Sequence, residues 1–140
     1  MINSTNNVVQ TVVDGANVLF NIDRIRTNSC KSCCDGWLCH DAGSGIFTLT
    51  KPGIYNISFN SNVANPTTAG EITMNISNSS ESLTGGEMVV TPTAVEAYFN
   101  IASSILVKVC PGSSAVITIK NNSGADVLVS EPNIIITREC

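Results

Sequence analysis

Gly45-Ile46-Phe47-Thr48-Leu49-Thr50-Lys51-Pro52-Gly53-Ile54-Tyr55-Asn56-Ile57-Ser58-Phe59 is the stretch that decides the fold. Ile46 to Thr50 alternates apolar and polar residues, the period-two mark of a strand with one buried face. Lys51-Pro52-Gly53 supplies a turn: proline fixes one φ, and glycine accepts backbone angles that other residues resist. From Ile54 the alternation resumes as far as Val63, with Tyr55, Ile57 and Phe59 on one face.

The same grammar extends in both directions. Val8–Val13 is β-branched and stops at Asp14-Gly15, and Val18–Ile22 reads as a second short strand. Downstream, Glu71–Ser77, Glu87–Thr91, Tyr98–Cys110, Ala115–Lys120, Asp126–Val129 and Asn133–Thr137 read as strands. Asn78–Ser82 reads as loop, Gly85-Gly86 as a break and Pro111-Gly112 as a turn. Strands at about 8–12-residue spacing without a convincing helix predict an all-β sandwich or barrel.

The chain has 140 residues, enough for one domain with a real core. Residues 1–7 read as a polar N-terminal arm, and residues 8–140 as the domain, with a cysteine-rich loop over 28–40. Hydrophobic residues make up 43% and charged residues 13%, so the solvent faces must rely on Asn, Ser and Thr. The net charge of -4, with seven lysines and arginines in all, lacks the cationic footprint that duplex nucleic acid demands. No stretch has the length of a membrane-spanning helix, and no cleavable signal is read at the N-terminus.

The Gly45–Phe59 block resembles the tumour necrosis factor-like and complement-type globular heads. They carry a phenylalanine-bearing strand, a Pro-Gly turn and an aromatic-alternating strand in this order. Val18-Leu19-Phe20-Asn21 upstream, His40–Gly45 leading into the block, and Ile134-Ile135-Ile136-Thr137 near the end agree with that pattern. Bacterial and phage members are the nearest in flavour. Departures are the missing Gly-X-Y stalk and the Cys30–Cys39 insertion. The resemblance implies a jelly-roll β-sandwich of about ten antiparallel strands that forms a homotrimer. Apolar residues on both faces of the Ile54–Phe59 and Tyr98–Ile101 segments point the same way. Tyr55, Ile57, Phe59, Tyr98, Phe99 and Ile101 are therefore the expected trimer-packing residues.

Cys30-x2-Cys33-Cys34-x4-Cys39-His40 is the most chemically loaded segment. Four thiolates and an imidazole could hold tetrahedral zinc, and Cys-x2-Cys is a ligand spacing. Disulfides among these cysteines, pairing of Cys110 with Cys140, and free thiols are the competing readings. Redox catalysis is disfavoured, because no helix N-terminus is expected to activate a thiol.

No catalytic constellation emerges. His40 is the only histidine; Asp41, its neighbour, would point to the opposite face of a strand, and Ser44 lies on a Gly-Ser-Gly turn. The glutamates fall near turns and strand ends, and no acid-dense calcium loop appears. Asn-x-Ser/Thr triplets at Asn3, Asn56, Asn75, Asn78 and Asn121 read as polar strand faces and loops.

The expected function is a non-enzymatic, structural and adhesive head on a virion surface, such as a phage fibre knob, head fibre or capsid decoration. It would dock on other virion proteins through the 1–7 arm and offer Asn65–Gly70, Asn78–Gly86 and Asn121–Asp126 to a surface glycan. The alternative is a lectin-like module on a bacterial cell or spore surface. No cofactor is expected, apart from zinc at the cysteine loop.

Overall fold

The computed structural model describes residues 1–27 and 36–139. Eleven strands run through them: β1 (Ile2–Thr5), β2 (Gln10–Val12), β3 (Ile22–Arg26), β4 (Leu38–Cys39), β5 (Phe47–Leu49) and β6 (Gly53–Ala64), followed by β7 (Ile72–Asn78), β8 (Glu81–Val90), β9 (Phe99–Val109), β10 (Ala115–Asn121) and β11 (Val127–Arg138). They form two antiparallel sheets. Sheet A has the order β3-β1-β11-β6-β9, with β2 also on β11; sheet B has the order β4-β5-β10-β7-β8. This is the all-β sandwich that the alternation predicts, in the jelly-roll form that the resemblance implies.

The long pairs β6–β9 and β6–β11 form the middle of sheet A. Their inward residues meet those of β5, β7 and β10 in one core. Phe20 lies edge-on to Phe47 and Phe59, with ring centroids 5.4 and 6.4 Å away. Trp37 tilts against Tyr55 at 5.4 Å. Each such side chain stabilises the fold by about 1.5–3 kcal/mol through burial.

Three expectations are corrected. The 1–7 segment is no free arm: Ile2 is fully buried, and β1 pairs with β11 on one side and β3 on the other. The apolar Ile2 gains more in the core than a polar tail would gain in water. Val18–Ile22 is not one strand. Its backbone splits between Val18 N–H to Ile119 O, Phe20 N–H to Ser44 O and Asn21 N–H to Thr5 O, while Val18 and Phe20 fill the core. Finally, the expected Asn78–Ser82 loop shrinks to a turn at Ser79-Ser80, and β8 runs through the expected Gly85-Gly86 break by means of a large bulge.

Candidate functional site

Four of the six residues assigned to trimer packing are spent inside one subunit. Tyr55, Ile57, Phe59 and Ile101 lie in the sandwich core. Alternation puts Asn56 and Ser58 on the outer face instead, where Ser104 Oγ donates to Asn56 Oδ1 at 3.0 Å and lies 2.9 Å from Ser58 Oγ. Tyr98 and Phe99 are exposed, at 44% and 42%. Leu106 and Ile54, outward on β9 and β6, were missed; period two flags them once the inward parity is known.

Of the proposed zinc ligands, Cys30, Cys33 and Cys34 lie outside the described residues. Cys39 is half-buried on β4, opposite Thr48. His40 is committed elsewhere. Its imidazole is fully buried, its Nε2 donates to Ser44 O at 3.1 Å, and its Nδ1 is 2.9 Å from Asp23 Oδ1, at ion-pair distance but without hydrogen-bond alignment. Asp23 also accepts from Ser4 Oγ (2.5 Å) and Arg26 Nη1 (3.1 Å), and Arg26 donates to His40 O at 2.9 Å. The cluster ties β1 and β3 to the residue after β4. The ring is thus turned inward, with Nδ1 facing Asp23 and away from solvent. Among the described residues no group of three or more His, Cys, Asp or Glu could hold a metal ion.

The loops offered for binding separate into two regions. Asn65–Gly70 is closed on itself by Gly70 N–H to Asn65 Oδ1 at 3.2 Å. The other two meet: Asn122 Nδ2 donates to Asn75 Oδ1 at 2.7 Å and to Ser82 Oγ at 3.2 Å. Here a cleft of about 280 Å³ opens on the outer side of sheet B, lined by Asn75, Ser82, Leu83, Thr84, Gly85 and Glu87. The β8 bulge makes its wall. Glu87 pairs with Asn75 and Ser82 with Ser77, so residues 83–86 stand opposite Ile76 alone. Gly86 permits this approach, because a Cβ there would lie 2.9 Å from Ile76 Cβ. The Gly85-Gly86 pair was the sequence signal for this wall, although it read as a break. Asn75 and Asn121, both in glycosylation-like triplets, are buried.

A second cleft, of about 440 Å³, lies on the outer side of sheet A and includes Thr5, Arg24, Asn60, Glu131 and Asn133. It adjoins the bulge between Ser130 and Asn133, where Glu131 has a φ of 50°.

Fold and topology define the class: an antiparallel jelly-roll β-sandwich. In particular, the chain is similar to the globular domain of zebrafish complement 1qA, with a TM-score of 0.66, 14% identity and coverage of 96% of this chain and 94% of that one. Murine APRIL matches with a TM-score of 0.48 at 13% identity over 95% of each chain. The CBM35 from Cellvibrio japonicus Abf62 matches with a TM-score of 0.40 at 8% identity over 97% of this chain and 96% of that one. No protein-family model and no curated protein matches the sequence.

Proposed function

We propose that this protein is a non-enzymatic, homotrimeric head of a virion surface, a fibre knob, head fibre or capsid decoration, that also touches a surface glycan. One observation carries the trimer. Six exposed apolar residues lie at two opposite edges of sheet A. Val95, Tyr98 and Phe99 lie at the β9 edge, and Val8, Val9 and Leu19 at the β2 edge. The two edges are level: Phe99 pairs with Val63, Val63 with Val129, and Val129 with Gln10.

Two different patches on opposite edges suit a head-to-tail contact, which closes into a ring when the rotation per subunit divides the circle. The resemblance to trimeric heads selects three. Docking on a particle must use a surface other than residues 1–7, since β1 is locked in sheet A. The lectin-like reading, a bacterial cell- or spore-surface module, draws its support from the polar cleft on sheet B.

Light scattering on the purified protein tests the proposal. A mass of three times the 14.7 kDa chain supports the head; a stable monomer removes it.

A further inference from the structure

We infer that the cleft beside the β8 bulge is a binding site for a single neutral sugar ring; the inference rests on the glycan-binding part of the proposed function. Its register defines the chemistry. One cross-strand row of sheet B reads Lys120, Asn75, Glu87, and the next reads Thr118, Ser77, Ser82. The first row carries one acid and one base that form no ion pair among the described residues. Of the two, Glu87 alone lines the cleft, where a carboxylate accepts hydrogen bonds from hydroxyls and repels an anion. Asn122 occupies the Asn75 Oδ1, which leaves the Asn75 Nδ2 as a donor with no partner among the described residues. Thr84 and Glu87 add a hydroxyl and a carboxylate at the rim.

The second row supplies an independent observation. Ser77 Oγ and Thr118 Oγ1 are buried and have no hydrogen-bond partner among the described residues. Buried polar atoms in folded proteins are almost always paired, and Ser77 stands opposite Ser82 of the cleft lining, so the sheet beside the cleft is short of polar partners. Leu83 gives an apolar patch for the C–H face of a ring. At about 280 Å³ the space lies just under the usual range for ligand sites, which suits one ring and not an oligosaccharide. A neutral polyol matches this mixture of amide, hydroxyl and a single carboxylate acceptor. Gly86, whose Cβ would collide with Ile76, shows that the wall depends on a residue with no side chain.

The test is a titration of the full-length, isotope-labelled protein with N-acetylglucosamine, galactose and glucuronic acid at tens of millimolar, read by amide chemical shifts. A neutral sugar should shift Asn75, Ser82, Gly85 and Asn122, and bind about tenfold more weakly to Thr84→Trp, which fills the cleft from an exposed position. Glu87→Gln serves as a second variant that leaves the wall intact and should also weaken binding. Shifts confined to Asn65–Gly70 would overturn this site and leave glycan binding standing. Tighter binding of glucuronic acid would overturn the neutral class. No shift with any sugar would overturn both the site and the glycan-binding part, and the mass of the same sample would report separately on the trimer.

Discussion

His40 lies face to face on Phe47, with ring centroids 4.1 Å apart and planes 6° from parallel. The stack joins a polar cluster to the aromatic core, since Phe47 also meets Phe20. His40→Ala removes that packing and leaves Asp23, half-buried, with fewer partners. A loss of about 3 kcal/mol is expected in denaturant unfolding. Asp23→Ala removes the acceptor of Ser4 Oγ, one partner of Arg26 and the charge facing His40 Nδ1, and should cost a similar amount. Because both variants break the same cluster, the double variant should cost clearly less than their sum. Additive losses would mean that the two residues stabilise the fold independently.

The same geometry bears on the cysteine loop. If the chain carries zinc, His40→Asn should leave its zinc content unchanged, because the imidazole is fully buried with Nε2 on Ser44 O and Nδ1 facing Asp23. Metal analysis of the folded variant checks this; loss of one zinc per chain would show that His40 turns outward to a metal.

Tyr55 makes stability depend on alkaline pH. Burial pushes its phenol above the ordinary 10.0, opposed by the charge of Arg138, its hydrogen bond and the bond to Lys51. Its Oη donates to Lys51 O at 2.6 Å across the Pro-Gly turn. The folded chain thus favours the neutral phenol. That contribution is complete below the ordinary value and is lost as pH rises through the folded value. Tyr55→Phe should cost about 1 kcal/mol near neutrality. Its urea midpoint should then fall less than that of the parent between pH values on either side of 10.0. Parallel falls would remove Tyr55 as the titrating group.

The sandwich was legible because its alternation is strict. Phe47 and Leu49, then Tyr55, Ile57 and Phe59, are inward as the period requires. The same period misdirected the trimer-packing reading: two-faced strands suggested subunit packing, but Tyr55, Ile57 and Phe59 filled the chain's own core and Asn56 and Ser58 lay outward beside Ile54. β1 was illegible because Ile2 is its one large apolar residue, and pairing with β11, distant in sequence, makes it a strand. The cleft was half legible. Its loops were flagged by their polarity, but the meeting of Asn122 with Ser82 depends on register, which composition does not carry.

Glycine substitutions should separate close approach from mere flexibility. A Cβ on Gly45 would lie 2.5 Å from Val18 O, and backbone there cannot yield without breaking the Val18 N–H bond to Ile119 O. Gly86→Ala meets Ile76 at 2.9 Å and Leu83 O at 3.2 Å. Both changes should destabilise by about 1–3 kcal/mol or more. Gly70 has open space around it, so Gly70→Ala should be neutral or raise stability by up to about 1 kcal/mol. Thermal unfolding of the three variants would expose an error if Gly70→Ala proved the most damaging.

The trimer proposal makes a demand that mass alone does not. If the β9 edge of one subunit meets the β2 edge of the next, Phe99→Asp disables one patch and Val9→Asp the other. Burying a carboxylate against apolar residues costs several kcal/mol, so each variant alone should be a folded monomer. Yet each keeps one intact patch, and the two are complementary. Mixed at equal concentration, they should form a dimer of one chain of each kind and stop there, since the remaining free edges both carry an aspartate. A self-complementary interface predicts a different pattern: each single variant would still bring its own altered patch to every contact, and mixing would restore nothing. Light scattering of the mixture separates the two, and a mixture that remains monomeric would sink the head-to-tail ring even if the parent protein is a trimer.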